Sequence, residues 1–95
     1  MATTFDPVKR KWTIEHRGLD FAVDADEVFG SIKATKVDDR FDYGEVRYIS
    51  AGYVRSRMAV MVWTVRGDDR HVISMRYCHA KEETYWQAYF RQSGD

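Results

Sequence analysis

Seven of the eight cations between residues 40 and 81 are arginines: Arg40, Arg47, Arg55, Arg57, Arg66, Arg70 and Arg76, with Lys81 the exception. Planar guanidinium groups recognise phosphate and carboxylate through paired hydrogen bonds, so this stretch favours an anionic ligand over diffuse solubilising charge. The same stretch holds only four acidic residues, although the chain balances fifteen Lys and Arg against fifteen Asp and Glu. A formal net charge of zero therefore conceals a basic centre between two acidic ends. Alternate residues of a strand share a face, which groups Val62 with Thr64 and Arg66, Val72 with Ser74 and Arg76, and Arg47 with Ile49 and Ala51. Arginines converging from adjacent strands at one sheet edge are costly to cluster without an anion, and an RNA phosphate would supply it. The competing reading is a solvated sheet face, with Arg stems packed on aromatics and charges paired with Glu45, Asp68, Asp69, Glu82 and Glu83.

Glu15, His16 and Arg17 are the one tight group combining a carboxylate, an imidazole and a guanidinium. Acid–base chemistry is one use for it; the other is helix-end capping, since the macrodipole favours cations at a helix C-terminus. The three histidines are scattered and His79 has only Glu82 and Glu83 for company, so neither a metal site nor another cofactor is expected. No Gly-rich phosphate loop, G-x-S-x-G elbow or H-E-x-x-H motif occurs. Cys78, the single cysteine, has no disulfide partner and reads as a small buried hydrophobe.

The elements that must position these groups run in the order helical, strand-rich, helical. Asp6-Pro7 predicts a helix start, because Asp accepts from the orphan amides of the first turn and Pro loses a donor that lacked a partner. Gly18 predicts its end. Asp20 repeats the capping role for a short second helix ending at Gly30, with Phe21, Ala25, Val28 and Phe29 at helical spacing. Residues 32–37 are weakly extended, and 38–44 form a polar connection. Strands are expected over 46–54, 58–66 and 70–77, joined as antiparallel hairpins by Arg55-Ser56-Arg57 and Gly67-Asp68-Asp69. An amphipathic helix over 80–91 closes the chain, with Tyr85, Ala88 and Tyr89 on one stripe widened by Trp86 and Phe90. The expected class is thus α+β: an antiparallel sheet of three to four strands covered by N-terminal helices and a C-terminal helix.

Ninety-five residues leave room for one domain, read over about Phe5 to Arg91 with short frayed ends. With 44% hydrophobic and 15% aromatic residues the chain can fill a core, despite a mean hydropathy of −0.57. Its longest apolar run, Met58 to Trp63, falls far short of the roughly 20 residues a membrane helix needs, and no apolar signal segment opens the chain. A soluble, cytoplasmic protein with no membrane partner is expected.

The motifs Phe5-Asp6-Pro7-x-Lys9, Gly18-Leu19-x-Phe21, Asp39-Arg40, Tyr43-Gly44-Glu45-x-Arg47, Gly52, Trp63-Thr64-x-Arg66-Gly67 and Ile73-Ser74-x-Arg76 follow one another in an order that resembles the BrnT toxin family. The resemblance runs from Phe5 to about Tyr85, so residues 1–95 are expected to form one BrnT-like toxin domain. It implies a RelE-like α+β fold, a ribonuclease activity that arrests translation, and neutralisation by a BrnA-type ribbon-helix-helix antitoxin. It also implies contact with operator DNA only through the antitoxin complex, which represses its own promoter. Where many members read Asn-x-x-Lys-His-Gly, this chain has Thr13, His16, Arg17 and Gly18, which moves the imidazole one position, or about 100° around the helix. His71 stands where the family often has Arg and His79 where it often has a small hydroxyl residue, whereas Glu82 and Tyr85 fit the pattern.

Metal-independent RNA cleavage requires a base for the 2′-OH, cations for the phosphorane and an acid for the 5′-oxygen. On this chemistry Arg66 and Arg76, with Arg47, are expected to bind phosphate and carry transition-state charge, His16 or Glu45 to transfer protons, and Arg17 to support the phosphate. Catalytic residues would then be His16, Glu45, Arg66 and Arg76, with Arg17 and Arg47 binding RNA. The alternative function is a non-catalytic RNA- or protein-binding regulatory module on the same fold.

Overall fold

The structure is a computed structural model and describes residues 2–93. A five-stranded sheet forms its middle layer: β1 (Thr3–Phe5), β2 (Ala34–Val37), β3 (Tyr48–Val54), β4 (Arg57–Arg66) and β5 (Asp69–Tyr77), in the spatial order β1-β5-β4-β3-β2. Helices α1 (Pro7–Arg17), α2 (Asp24–Gly30) and α3 (Ala80–Ser93) complete the α+β architecture. The three predicted hairpin strands are neighbours as expected, but the sheet is mixed, because β1 pairs with β5 in parallel. Three residues ahead of a helix cap are too few to show a two-residue period, which is why β1 was not legible. No helix among the described residues is long and apolar enough to cross a membrane.

Local chemistry explains most boundaries. The Asp6 carboxylate accepts from Val8 N–H at 2.8 Å, Pro7 takes the first helical position, and Gly18 closes α1 at φ +67°. The second helix begins later than expected, at Asp24. Asp20 instead organises a preceding turn, accepting from Ala22 N–H while its own amide donates to Asp24. Between β3 and β4 the turn needs positive φ at both Arg55 (+48°) and Ser56 (+66°), which costs non-glycine residues about 1–2 kcal/mol each. Three contacts offset that cost: Arg55 N–H donates to Glu27, and its guanidinium donates to the buried Asp24 carboxylate at 2.8 Å and to the Tyr77 hydroxyl at 3.1 Å.

Two apolar cores lie on opposite faces of the sheet. Leu19, Phe21, Ala25 and Val28 pack against Val54, Ala59, Met61, Val72 and Met75 on one face. On the other, Trp86 of α3 covers Ala34, Ala51, Met58, Val60 and Cys78, so Cys78 is buried as expected. A register shift between β4 and β5 corrects the expected face of Val72: Val62 pairs with Ser74 but the adjacent Trp63 pairs with Val72, leaving Ile73 as the extra residue. This bulge turns Val72 into the first core and leaves Ser74 and Arg76 on the α3 face. Arg47 is likewise not in a strand with Ile49 and Ala51, because β3 starts only at Tyr48.

At Gly52 the end of α2 lies close against the sheet. A Cβ there would lie 2.9 Å from the Val28 carbonyl oxygen and 3.1 Å from Ser31 Oγ, which itself accepts from Tyr53 N–H at 2.8 Å. Gly52→Ala is therefore expected to destabilise by about 1–3 kcal/mol, the range for overpacking. Gly30→Ala, with nothing within 4 Å of its Cβ, should change stability by less than about 1 kcal/mol. Thermal unfolding of the two variants checks this ordering.

Candidate active site

The segment between β2 and β3 is held by one buried carboxylate. Asp38, its side chain 1% exposed, accepts from Arg40 Nε at 2.7 Å and Nη2 at 2.9 Å and from the Tyr43 hydroxyl at 3.2 Å. Its backbone N–H donates to the Arg47 carbonyl at 2.8 Å, and the buried Thr64 hydroxyl donates to the Val46 carbonyl at 2.6 Å. These bonds lay residues 43–47 against the end of β4. Hydrogen bonding from Arg40 holds the Asp38 carboxyl down at about 2, against the opposing effect of burial.

At this end of the sheet Glu45 bridges two guanidinium groups. Arg47 Nε donates to Oε2 at 3.1 Å, while Arg66 Nε and Nη2 donate at 3.4 and 3.3 Å. The Arg47 guanidinium also lies 4.1 Å over the Tyr43 ring. Arg66 first, then Arg47, holds the Glu45 carboxyl below its ordinary range, so it is ionised at neutral pH. His71 pairs with Thr64 in the β-ladder and therefore shares a face with Arg66, two β4 residues further on. Its Nδ1 bonds the Thr4 hydroxyl at 2.8 Å, and its other ring nitrogen has no protein partner among the described residues. Burial first, then the Arg66 charge, pushes the imidazole below its ordinary pKa of 6.5, so it is neutral at pH 7. The arrangement offers two cations, a carboxylate that orients them and a neutral imidazole on one sheet end.

Glu45, Arg47 and Arg66 are thus brought together, whereas Arg76 is not with them. It pairs with Val60, six residues before Arg66 on β4, a separation of about 20 Å at about 3.3 Å per residue. Face parity groups Arg66 with Arg76, but antiparallel register sends them to opposite ends of the hairpin, and the expectation that they meet is corrected. Both Arg76 η nitrogens instead pair with the Glu82 carboxylate at the start of α3. His16 and Arg17 form a third group on α1. His16 stacks on Trp12 at 4.5 Å and its Nδ1 bonds the Trp12 carbonyl at 2.9 Å. Arg17 lies 4.9 Å over the same indole and donates to the Met75 carbonyl at 2.9 Å, beyond the point where β1 stops pairing with β5. Among the described residues no three His, Cys, Asp or Glu side chains gather as metal ligands.

His71 is the residue that sequence reasoning passed over, although a signal was there. A two-residue turn at Gly67-Asp68 pairs Arg66 with Asp69, and counting back two places pairs Thr64 with His71.

The Asp38 contact has a pH signature. Because its folded pKa lies below the ordinary value of 3.8, its carboxylate stabilises the native state fully above about pH 4 and loses that contribution as pH falls towards about 2. Asp38→Asn is expected to lower Tm at pH 7, and the gap from the parent protein should close between about pH 4 and pH 2. Thermal melts of both proteins across that range measure it.

The family model for the BrnT ribonuclease toxin of type II toxin-antitoxin systems matches residues 5–82. No match is found among curated proteins. The matched stretch runs from the end of β1 into the first turn of α3 and takes in both the Glu45 cluster and Arg76. The chain belongs to the BrnT family of ribonuclease toxins of type II toxin-antitoxin systems.

Proposed function

We propose that this protein is a metal-independent endoribonuclease whose active site is the Glu45, Arg47, Arg66 and His71 cluster. The observation that carries this reading is a neutral imidazole placed on the same sheet face as a guanidinium that an ionised carboxylate holds in position. Neutral His71 takes the proton of an RNA 2′-OH through its free ring nitrogen, and the 2′-oxygen attacks phosphorus. The bond to the 5′-oxygen breaks, leaving a 2′,3′-cyclic phosphate, and that oxygen takes a proton from water. Arg66 and Arg47 carry the charge that accumulates on the phosphorane oxygens. Glu45 acts as their positioning residue, because its ionised state and two guanidinium partners make it a poor proton donor. His16, bound to Trp12, takes the capping role in this reading.

In the cell the activity would arrest translation in the cytoplasm. A BrnA-type ribbon-helix-helix antitoxin would neutralise it by covering the basic sheet face, and operator DNA would be bound only through that complex. The layered α+β arrangement supports kinship with RelE-type toxins.

Cleavage of RNA by the pure protein in excess chelator is the direct test. Arg66→Ala and His71→Asn are expected to slow it by about 10²-fold or more, while His16→Ala stays within a few-fold. Thermal unfolding measured alongside should change little for Arg66→Ala, as an exposed ion pair contributes about 1 kcal/mol or less. With His71 as base, the acidic limb of the rate profile should fall below pH 6.5, since the group is active only when unprotonated. A parent protein that binds RNA without cleaving it would support the non-catalytic module instead.

A further inference from the structure

The α3 end of the sheet carries a second basic cluster that the cleavage chemistry does not use. A cleft of about 300 Å³ opens between the sheet and the first turns of α3, lined by Lys36, Arg40, Arg76, Lys81, Glu82 and Tyr85. Four cations face two carboxylates there, Asp38 on Arg40 and Glu82 on Arg76, leaving an excess of positive charge. Lys36 donates to the Tyr85 hydroxyl at 2.6 Å and lies 4.8 Å over its ring, and Tyr85, flanked by Trp86 and Tyr89, is 49% exposed as a residue. Cations interleaved with an exposed aromatic are the elements of a single-strand nucleic-acid groove: charge follows the backbone while the ring stacks on a base.

Continuity with the Glu45 cluster decides what the cleft would hold. Ile49, Val62 and Ser74 pair in register across β3, β4 and β5 on the face shared by Arg66 and Arg76, and all three are half-buried. Ile49 packs against the core under α3 and lines the cleft, whereas Val62 and Ser74 lie outside that core and carry the half-buried floor on between the two basic ends. We propose that the cleft lined by Lys36, Arg40, Arg76 and Lys81 is a second RNA-backbone site, and that one single strand lies along the open face from it to the Glu45–Arg66 cluster. A phosphate entering the cleft exchanges with Glu82 for the paired donors of Arg76, one charge-assisted fork for another. Arg76 then binds substrate at a distance from the cleaved bond. This inference rests on the ribonuclease reading, from which it takes the ligand class.

Arg66 and Arg76 are about 20 Å apart along the sheet, more than a trinucleotide spans, whereas a dodecanucleotide reaches both even at the stacked spacing of about 3.4 Å per nucleotide. The experiment is fluorescence anisotropy of the full chain with labelled 2′-O-methyl oligouridylates of these two lengths, which resist cleavage, over a salt series. The parent protein is expected to bind the longer probe at least about 10-fold more tightly. Lys36→Ala/Lys81→Ala should remove most of that advantage, leave the short probe within about 2-fold, and reduce the salt slope by about 1.4 for two lost phosphate contacts. Lys11→Ala/Lys33→Ala, matched in charge and outside the cleft, should keep the advantage. Equal weakening of both probes, an unchanged long-probe affinity in Lys36→Ala/Lys81→Ala, or equal losses in the two double variants would overturn the proposal. Cleavage of unmodified RNA is scored separately: a protein that cleaves without length-dependent binding loses the second site alone, and one that shows the length dependence without cleaving keeps the site and loses the nuclease.

Discussion

A single buried carboxylate organises the polar half of this molecule. Asp38 gathers Arg40 and Tyr43 around its oxygens, and its own backbone amide reaches the Arg47 carbonyl. The loop between β2 and β3 is therefore closed on itself, although most of its residues stay exposed. Closing it delivers Glu45 and Arg47 to the end of β4 and leaves Arg40 facing the other basic cluster beside α3. An isolated carboxylate is costly to bury, and here paired guanidinium and phenol donors make its burial tolerable. Both basic ends of the sheet are thus tied to the same few hydrogen bonds.

The sheet can present charge on one face because its apolar needs are met elsewhere. Core residues of α2 and the preceding turn cover one face, and the Trp86 side of α3 covers only part of the other. The bulge opposite Val62 and Trp63 makes this division work along β5, since it lets Val72 and Met75 enter the first core while His71, Ser74 and Arg76 stay on the open side. A regular β5 would have turned either Val72 or Arg76 to the wrong face.

Carboxylates hold the arginines of that open face in readiness. Glu45 occupies Arg47 and Arg66, and Glu82 occupies Arg76. Each pair orients a guanidinium without burying it, so the stabilisation is modest and an incoming phosphate can take over the donors. Glu82 pairs with Arg76 and also accepts weakly from His79 N–H at 3.4 Å, so one side chain both caps α3 and screens the cleft.

Much of this was legible in the residues themselves. Asp6-Pro7 and Gly18 set the ends of α1, the β-rich runs located three strands, and the short turns made those strands neighbours, because each of these signals acts between residues close in the chain. The Tyr43-Gly44-Glu45-x-Arg47 and Thr64-x-Arg66 motifs named three members of the cluster that the structure assembles. Face parity, however, is a local rule, and register is not: only the pairing of β4 with β5 sends Arg76 to the far end of the sheet from Arg66. The three-residue β1 gains its identity from β5, and His71 gains its environment from Thr4 across that same pairing. Sequence by itself determined the class of the fold and the chemical types available. Which arginines meet, and which histidine stands beside them, was decided by the tertiary structure, because those distances depend on hydrogen-bond ladders between residues far apart in the chain.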